Sequence, residues 1–79
     1  MKLSIYSIKE TFFEGEVEKI VATTLNGEIS ILEGHIPLIS LLKGPHVTTV
    51  NSQGKPEQIP LKSGVLEVRP EKEVIILAN

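Results

Sequence analysis

A chain of 79 residues has room for one domain, spanning 1–79, with a modest core, because chains this short bury only roughly 60–65% of their extended surface. The absence of cysteine excludes disulfides and thiolate-held zinc, and a mean hydropathy of +0.11 argues against disorder. A net charge of −2, with Tyr6, Phe12 and Phe13 as the aromatics, supplies neither the basic stripe nor the stacking platform of a nucleic-acid binder.

No apolar run approaches bilayer-spanning length, and Met1-Lys2-Leu3-Ser4 opens no signal-peptide core, so a soluble chain that is neither exported nor inserted in a membrane is expected. Leu3 and Ile5 alternate with Lys2, Ser4 and Tyr6, the period of a first strand. Phe12-Phe13-Glu14-Gly15 reads as a turn whose two aromatics plug one end of a core. Val17 to Thr23 is β-branched and strand-like. Its adjacent Ile20 and Val21 imply either a bulge or a strand covered on both faces.

Asn26-Gly27 is a strong hairpin signal, since both residues tolerate positive φ. Glu28 to Leu32 follows as a strand with Ile29 and Ile31 on one side. Gly34-His35-Ile36-Pro37 then breaks it, because proline disfavours a helical Ile36. The result is a sharply turned loop with apolar flanks, a shape suited to docking.

Leu38 to Leu42 favours strand or irregular structure and ends at a turn of Lys43-Gly44-Pro45. Val47 to Val50 is another strand, turned back by Asn51-Ser52-Gln53-Gly54. Glu57 to Leu61 returns, with Pro60 marking an edge or a strand end. Gly64 to Val68 and Val74 to Leu77 complete the series around Pro70-Glu71-Lys72. The pattern implies an all-β fold: an antiparallel β-sandwich or flattened barrel of about ten short strands.

Val74-Ile75-Ile76-Leu77 and Leu38-Ile39-Ser40-Leu41-Leu42 put apolar groups on both sides of any strand. Either they are central strands or tucked chain ends, or another protein covers the second face.

The search for chemistry returns little. His35 and His46 both flank turns, and Glu33 with His35 offers two metal ligands without a third, so no metal is expected. Gly54-Lys55 lacks the preceding glycine and the following serine or threonine of a phosphate loop. Lys62 and Ser63 are neighbours on a strand and point to opposite faces, which is poor geometry for an activated nucleophile. Glu14, Glu16 and Glu18 share one solvated face. No catalytic residue and no cofactor site emerges, and composition and spacing alone stop at a small β-domain that binds another protein.

Beyond that point the chain resembles the amino-terminal β-sandwich domain of the F-type ATP synthase epsilon subunit, whose mitochondrial counterpart is called delta. Phe13 to Ile20 resembles the family's Phe-x-Gly-x-Val-x-x-Ile stretch. Asn26 to Leu38 resembles its Gly-Glu-x-Gly-Ile-x-x-Gly-His-x-Pro-Leu signature. Leu41-Leu42-Lys43-Gly44 stands at its Ile-Lys-Pro-Gly segment, Ser63 to Pro70 at its Gly-Gly-x-Leu-Glu-Val, and Val74 to Ala78 at its closing strand. Ser30, Glu33, Pro45 and Ser63 depart from the pattern.

The resemblance implies a non-catalytic rotor subunit, peripheral to the inner face of a bacterial plasma membrane, that docks the gamma subunit to the c-ring. Gly27 and Glu28 match c-ring-end positions; Ser7 and His35, with Leu38 beside them, match positions near gamma. No homo-oligomer is implied. The family's carboxy-terminal helical hairpin has no counterpart before Asn79, so its inhibitory and nucleotide-binding behaviour is not carried over. The alternatives are a generic interaction module and a small-ligand β-barrel with a deep polar pocket.

Overall fold

A computed structural model describes residues 1–79. It contains eight strands and no helix: β1 (Lys2–Tyr6), β2 (Thr11–Glu16), β3 (Lys19–Thr24), β4 (Gly27–Leu32), β5 (Leu38–Val50), β6 (Pro56–Pro60), β7 (Ser63–Arg69) and β8 (Glu73–Ala78). Hydrogen bonding links them in the order β2-β1-β8-β7-β5-β3-β4, with β6 also on β5. The path doubles over into two layers around one core of 15 buried apolar residues. The first layer is β2-β1-β8-β7 and the start of β5. The second is β4-β3, the end of β5, and β6.

Strand alternation builds the core from both layers. Leu3 and Ile5 of β1, Leu66 and Val68 of β7 and Val74 and Ile76 of β8 point inward, and meet Ile20, Ala22, Ile31, Val47 and Ile59 from the other side. Leu3, Ile5, Ile20, Ile31, Leu66 and Ile76 are fully buried. This apolar contact is the main source of stability in a domain without disulfides.

Eight strands stand where about ten were expected, and β5 runs through the expected Lys43-Gly44-Pro45 turn. This 13-residue strand serves both layers. Leu38 to Lys43 pairs with β7, and His46 to Val50 pairs with β6. The inward side switches parity between Leu42 and Val47, both buried, so the strand is broken there in phase but not in hydrogen bonding. Gly44 is required by close approach: a Cβ on it would collide with the Leu61 carbonyl oxygen.

Other expectations need correction. Phe12 to Gly15 lies within β2, not in a turn, because the segment pairs along β1 from Lys2↔Glu16 to Tyr6↔Thr11. Of its two aromatics only Phe13 packs against the core; Phe12 stays 39% exposed. Ile20 and Val21 alternate normally, and the irregularity falls between Val21 and Thr23 against β5. The hairpin turn is Leu25-Asn26, flanked by the Thr24–Gly27 pair, and only Gly27 there has positive φ, at 115°. Finally, β1 and β8 pair in parallel, so the sheet is mixed.

Candidate functional site

The two outer faces of the sandwich differ sharply. On the first layer, the residues that alternate with the core-facing ones form rows across the strands. Tyr6, Leu77, Val65 and Leu41 stand side by side on β1, β8, β7 and β5. The next row holds Ser4, Ile75, Glu67 and Ile39. Ile39 is 72% exposed, Leu41 59% and Leu77 48%. On the second layer the corresponding rows are Ser30, Val21, Thr48 and Gln58, with Glu28 and Thr23 beside them. Over these rows the first face is therefore the more apolar, while the second is mainly polar around Val21, Val50 and Leu32, the last 55% exposed.

The two doubly apolar segments of the sequence account for that face. Val74, Ile76 and Leu42 serve the core, while Ile75, Leu77, Ile39 and Leu41 look outward. Neither segment is covered on its second side within the domain. Contiguous exposed apolar surface of this kind makes the face a candidate docking surface.

The ends of the sandwich carry the residues singled out by resemblance. The β3–β4 tip presents Gly27 and an exposed Glu28. Thr24 fixes the turn, its hydroxyl donating to the Gly27 carbonyl at 2.9 Å and accepting from the Asn26 N–H at 3.1 Å. Ser7 opens the β1–β2 loop at the same end, where its hydroxyl oxygen accepts from the amides of Lys9 and Glu10 at 3.2 and 3.3 Å. His35 and Leu38 lie at the opposite end, so the structure does not bring Ser7 and His35 together. The His35 amide donates to the Leu32 carbonyl at 3.0 Å, and Leu38 packs partly against the core.

Beside His35 lies an open cleft of about 470 Å³ between the β4–β5 loop and the β7–β8 turn. Glu33 spans it. Its carboxylate oxygens lie 3.3 Å from Lys72 Nζ and 3.4 Å from the Met1 ammonium. The hydrogen bond and charge of Lys72, followed by the ammonium, hold the Glu33 carboxyl below its ordinary 4.5. The turn itself holds Glu71 and Lys72 at φ of 67° and 63°, a conformation that side chains rarely adopt. No group of three or more His, Cys, Asp or Glu gathers here or elsewhere to hold a metal ion. Ser63 Oγ accepts from Asn79 Nδ2 at 3.0 Å and has no base beside it.

Comparison with known proteins decides the family. The model of the ATP synthase Delta/Epsilon chain β-sandwich domain matches residues 1–79. The chain belongs to that family. Among curated members, the Delta/Epsilon β-sandwich domain here is 42% identical to the ATP synthase epsilon chain of Psychrobacter arcticus and 35% identical to that of Acinetobacter baumannii. In both, the match covers all of this chain and 56% of the relative. The chain thus spans little more than half the length of the curated relatives it matches.

A chain of the Euglena gracilis mitochondrial ATP synthase, from an assembly that includes the c-ring, superposes with a TM-score of 0.86 at 26% identity, over 96% of this chain and 48% of that one. A chain from the central stalk and c-ring of the Tetrahymena thermophila enzyme shares the fold, with a TM-score of 0.77 at 12% identity, over 98% of this chain and 61% of that one.

The apolar outer face of this Delta/Epsilon domain was only half legible beforehand. The doubled apolar runs marked β5 and β8, but the contributions of Tyr6 and Val65 depend on the parallel β1–β8 pairing and the β7 register. The Arg69–Glu67–Glu73 cluster on the same face was missed. Its signal is the register opposition of Arg69 and Glu73 across a turn.

Proposed function

We propose that this domain is a non-catalytic part of the central stalk of a rotary ATP synthase, gripping the gamma subunit, resting on the c-ring and helping to couple proton flow to ATP synthesis. The observation that carries the reading is the contrast between the two outer faces in a chain of this family. A part that transmits torque needs a broad apolar grip on one neighbour and no reacting group. The outer face of β1, β8, β7 and β5 supplies that grip for gamma.

Glu28, exposed at the β3–β4 tip with Gly27 shaping the turn, is the c-ring contact. Its carboxylate is placed to meet a basic group on the ring loops; exposed pairs contribute only about 0–1 kcal/mol, so it tunes docking and does not create it. Ser7, His35 and Leu38 lie at the two ends of the first layer. Gamma contacts all three by spanning the length of β8, roughly 17 Å at about 3.3 Å per residue. In this reading the domain works as a single copy, without a cofactor, peripheral to the inner face of a bacterial plasma membrane.

Titration of the full chain against its cognate gamma subunit, by calorimetry with size-exclusion chromatography, tests the assignment. The expected result is a one-to-one complex with a negative heat-capacity change from apolar burial. A folded chain that leaves gamma unbound overturns the assignment in favour of a generic interaction module.

A further inference from the structure

The apolar outer face changes character along the strand axis. At the end bearing the β3–β4 tip, its row is Tyr6, Leu77, Val65 and Leu41. One row on, the carboxylate of Glu67 sits in register between Ile75 and Ile39. One row further the face is fully charged, with Lys2, Glu73 and Arg69 in register.

One guanidinium serves two carboxylates there. Arg69 Nε lies 3.3 Å from Glu67 Oε2, and its Nη1 lies 3.7 Å from Glu73 Oε1. Beyond β1, Glu14 and Glu16 of β2 stand opposite Ser4 and Lys2. The face therefore carries four carboxylates, Glu14, Glu16, Glu67 and Glu73, against Lys2 and Arg69, with the Met1 ammonium 3.5 Å from Glu16 Oε1 and shared with Glu33, so that one negative charge is left unmatched.

We infer that Glu67, supported by Glu73, is an orientation-determining residue of the docking face, and that the partner presents a lysine or arginine to it beside an apolar ridge. The inference rests on the gamma-docking reading and deepens it. Glu67 and Glu73 are 39% and 40% exposed in the free domain. A partner that covers Ile75 and Ile39 removes water from Glu67 as well. A carboxylate losing its water needs full pairing, and Arg69 is already shared. A cation from the partner restores the balance. A partner turned end for end would set that cation against Tyr6 and Leu77 and leave Glu67 unmatched. Charge at one end and apolar surface at the other thus select one of two opposite orientations.

The test uses the full chain and the purified cognate gamma subunit, with Kd measured in low and high salt, and far-UV circular dichroism establishing that each variant is folded. Glu67→Gln is expected to raise Kd roughly tenfold in low salt and to flatten its salt dependence. Glu73→Gln is expected to act in the same direction with a smaller effect. Leu41→Asp reports on the face itself and is expected to abolish binding. Parent-like Kd and salt dependence in both glutamine variants overturn the inference. If Leu41→Asp is then inactive, only the role of Glu67 falls; if it binds like the parent, the docking reading falls with it.

Discussion

Replacing Ile39 and Leu41 together by alanine separates docking from folding. Both side chains point away from the core, and they are 72% and 59% exposed in the free domain. Full burial of such a side chain contributes about 1.5–3 kcal/mol. The exposed fractions leave roughly 1–2 kcal/mol per residue for a partner to gain, and alanine keeps part of that through its β-carbon. The double variant should therefore lose about 2 kcal/mol of binding, roughly a 30-fold rise in Kd for gamma. Its own stability should change by no more than about 0.5 kcal/mol, as for surface substitutions away from structural features. Calorimetric titration reads the first quantity and urea denaturation the second. Binding within twofold of the parent would refute the assignment of this face, and a collapse in stability would refute the claim that these side chains stand outside the core.

Three further outcomes follow from the same geometry. Leu66→Ala removes a fully buried side chain from the shared core and should cost about 2–5 kcal/mol in urea denaturation, a large share of the roughly 4–12 kcal/mol expected for a domain this size. The lowered pKa of Glu33, caused first by Lys72 and then by the Met1 ammonium, makes its contribution complete above the ordinary 4.5 and lost as pH falls through the folded value. Glu33→Gln should flatten that acid limb in a pH series of urea midpoints, whereas a slope equal to the parent's would exclude the pairing. Glu28→Lys reverses an exposed tip charge and should weaken binding to the isolated c-ring while leaving the urea midpoint unchanged; unaltered ring binding would count against the tip as the contact.

Much of the fold is written locally. The alternation at Leu3 and Ile5, the short β-branched apolar run from Val74 and the segment from Gly64 each read as a strand, and each is one. The continuity of β5 is not local. Gly and Pro at 44 and 45 read as punctuation, yet β3 pairs with both sections of the strand, and the Leu61 carbonyl lies too close to Gly44 for any side chain. The parallel β1–β8 pairing likewise joins residues 2–6 to residues 73–77, which no local pattern can announce.

The site divides in the same way. Glu28 was singled out by the family resemblance, and the Asn-Gly signal put it near a hairpin tip, although Leu25 and Asn26 form the turn itself. The apolar face was legible as doubled apolar runs on β5 and β8 without its extent. Nothing local sets Glu67 and Arg69 apart; only the register places Glu67 between two isoleucines. Separating Ser7 from His35 also required the register, since both flank strands and nothing in the sequence says which end each strand reaches.

The central claim is that gamma binds the outer face of β1, β8, β7 and β5. Methyl NMR of the isotopically labelled full chain, with and without unlabelled gamma, tests it most directly. The account predicts shifted or broadened methyl signals from Ile39, Leu41, Val65, Ile75 and Leu77, with Val21, Leu32 and Val50 on the opposite face unchanged. Perturbation of Val21, Leu32 and Val50, with Ile39 and Leu41 unmoved, would contradict it.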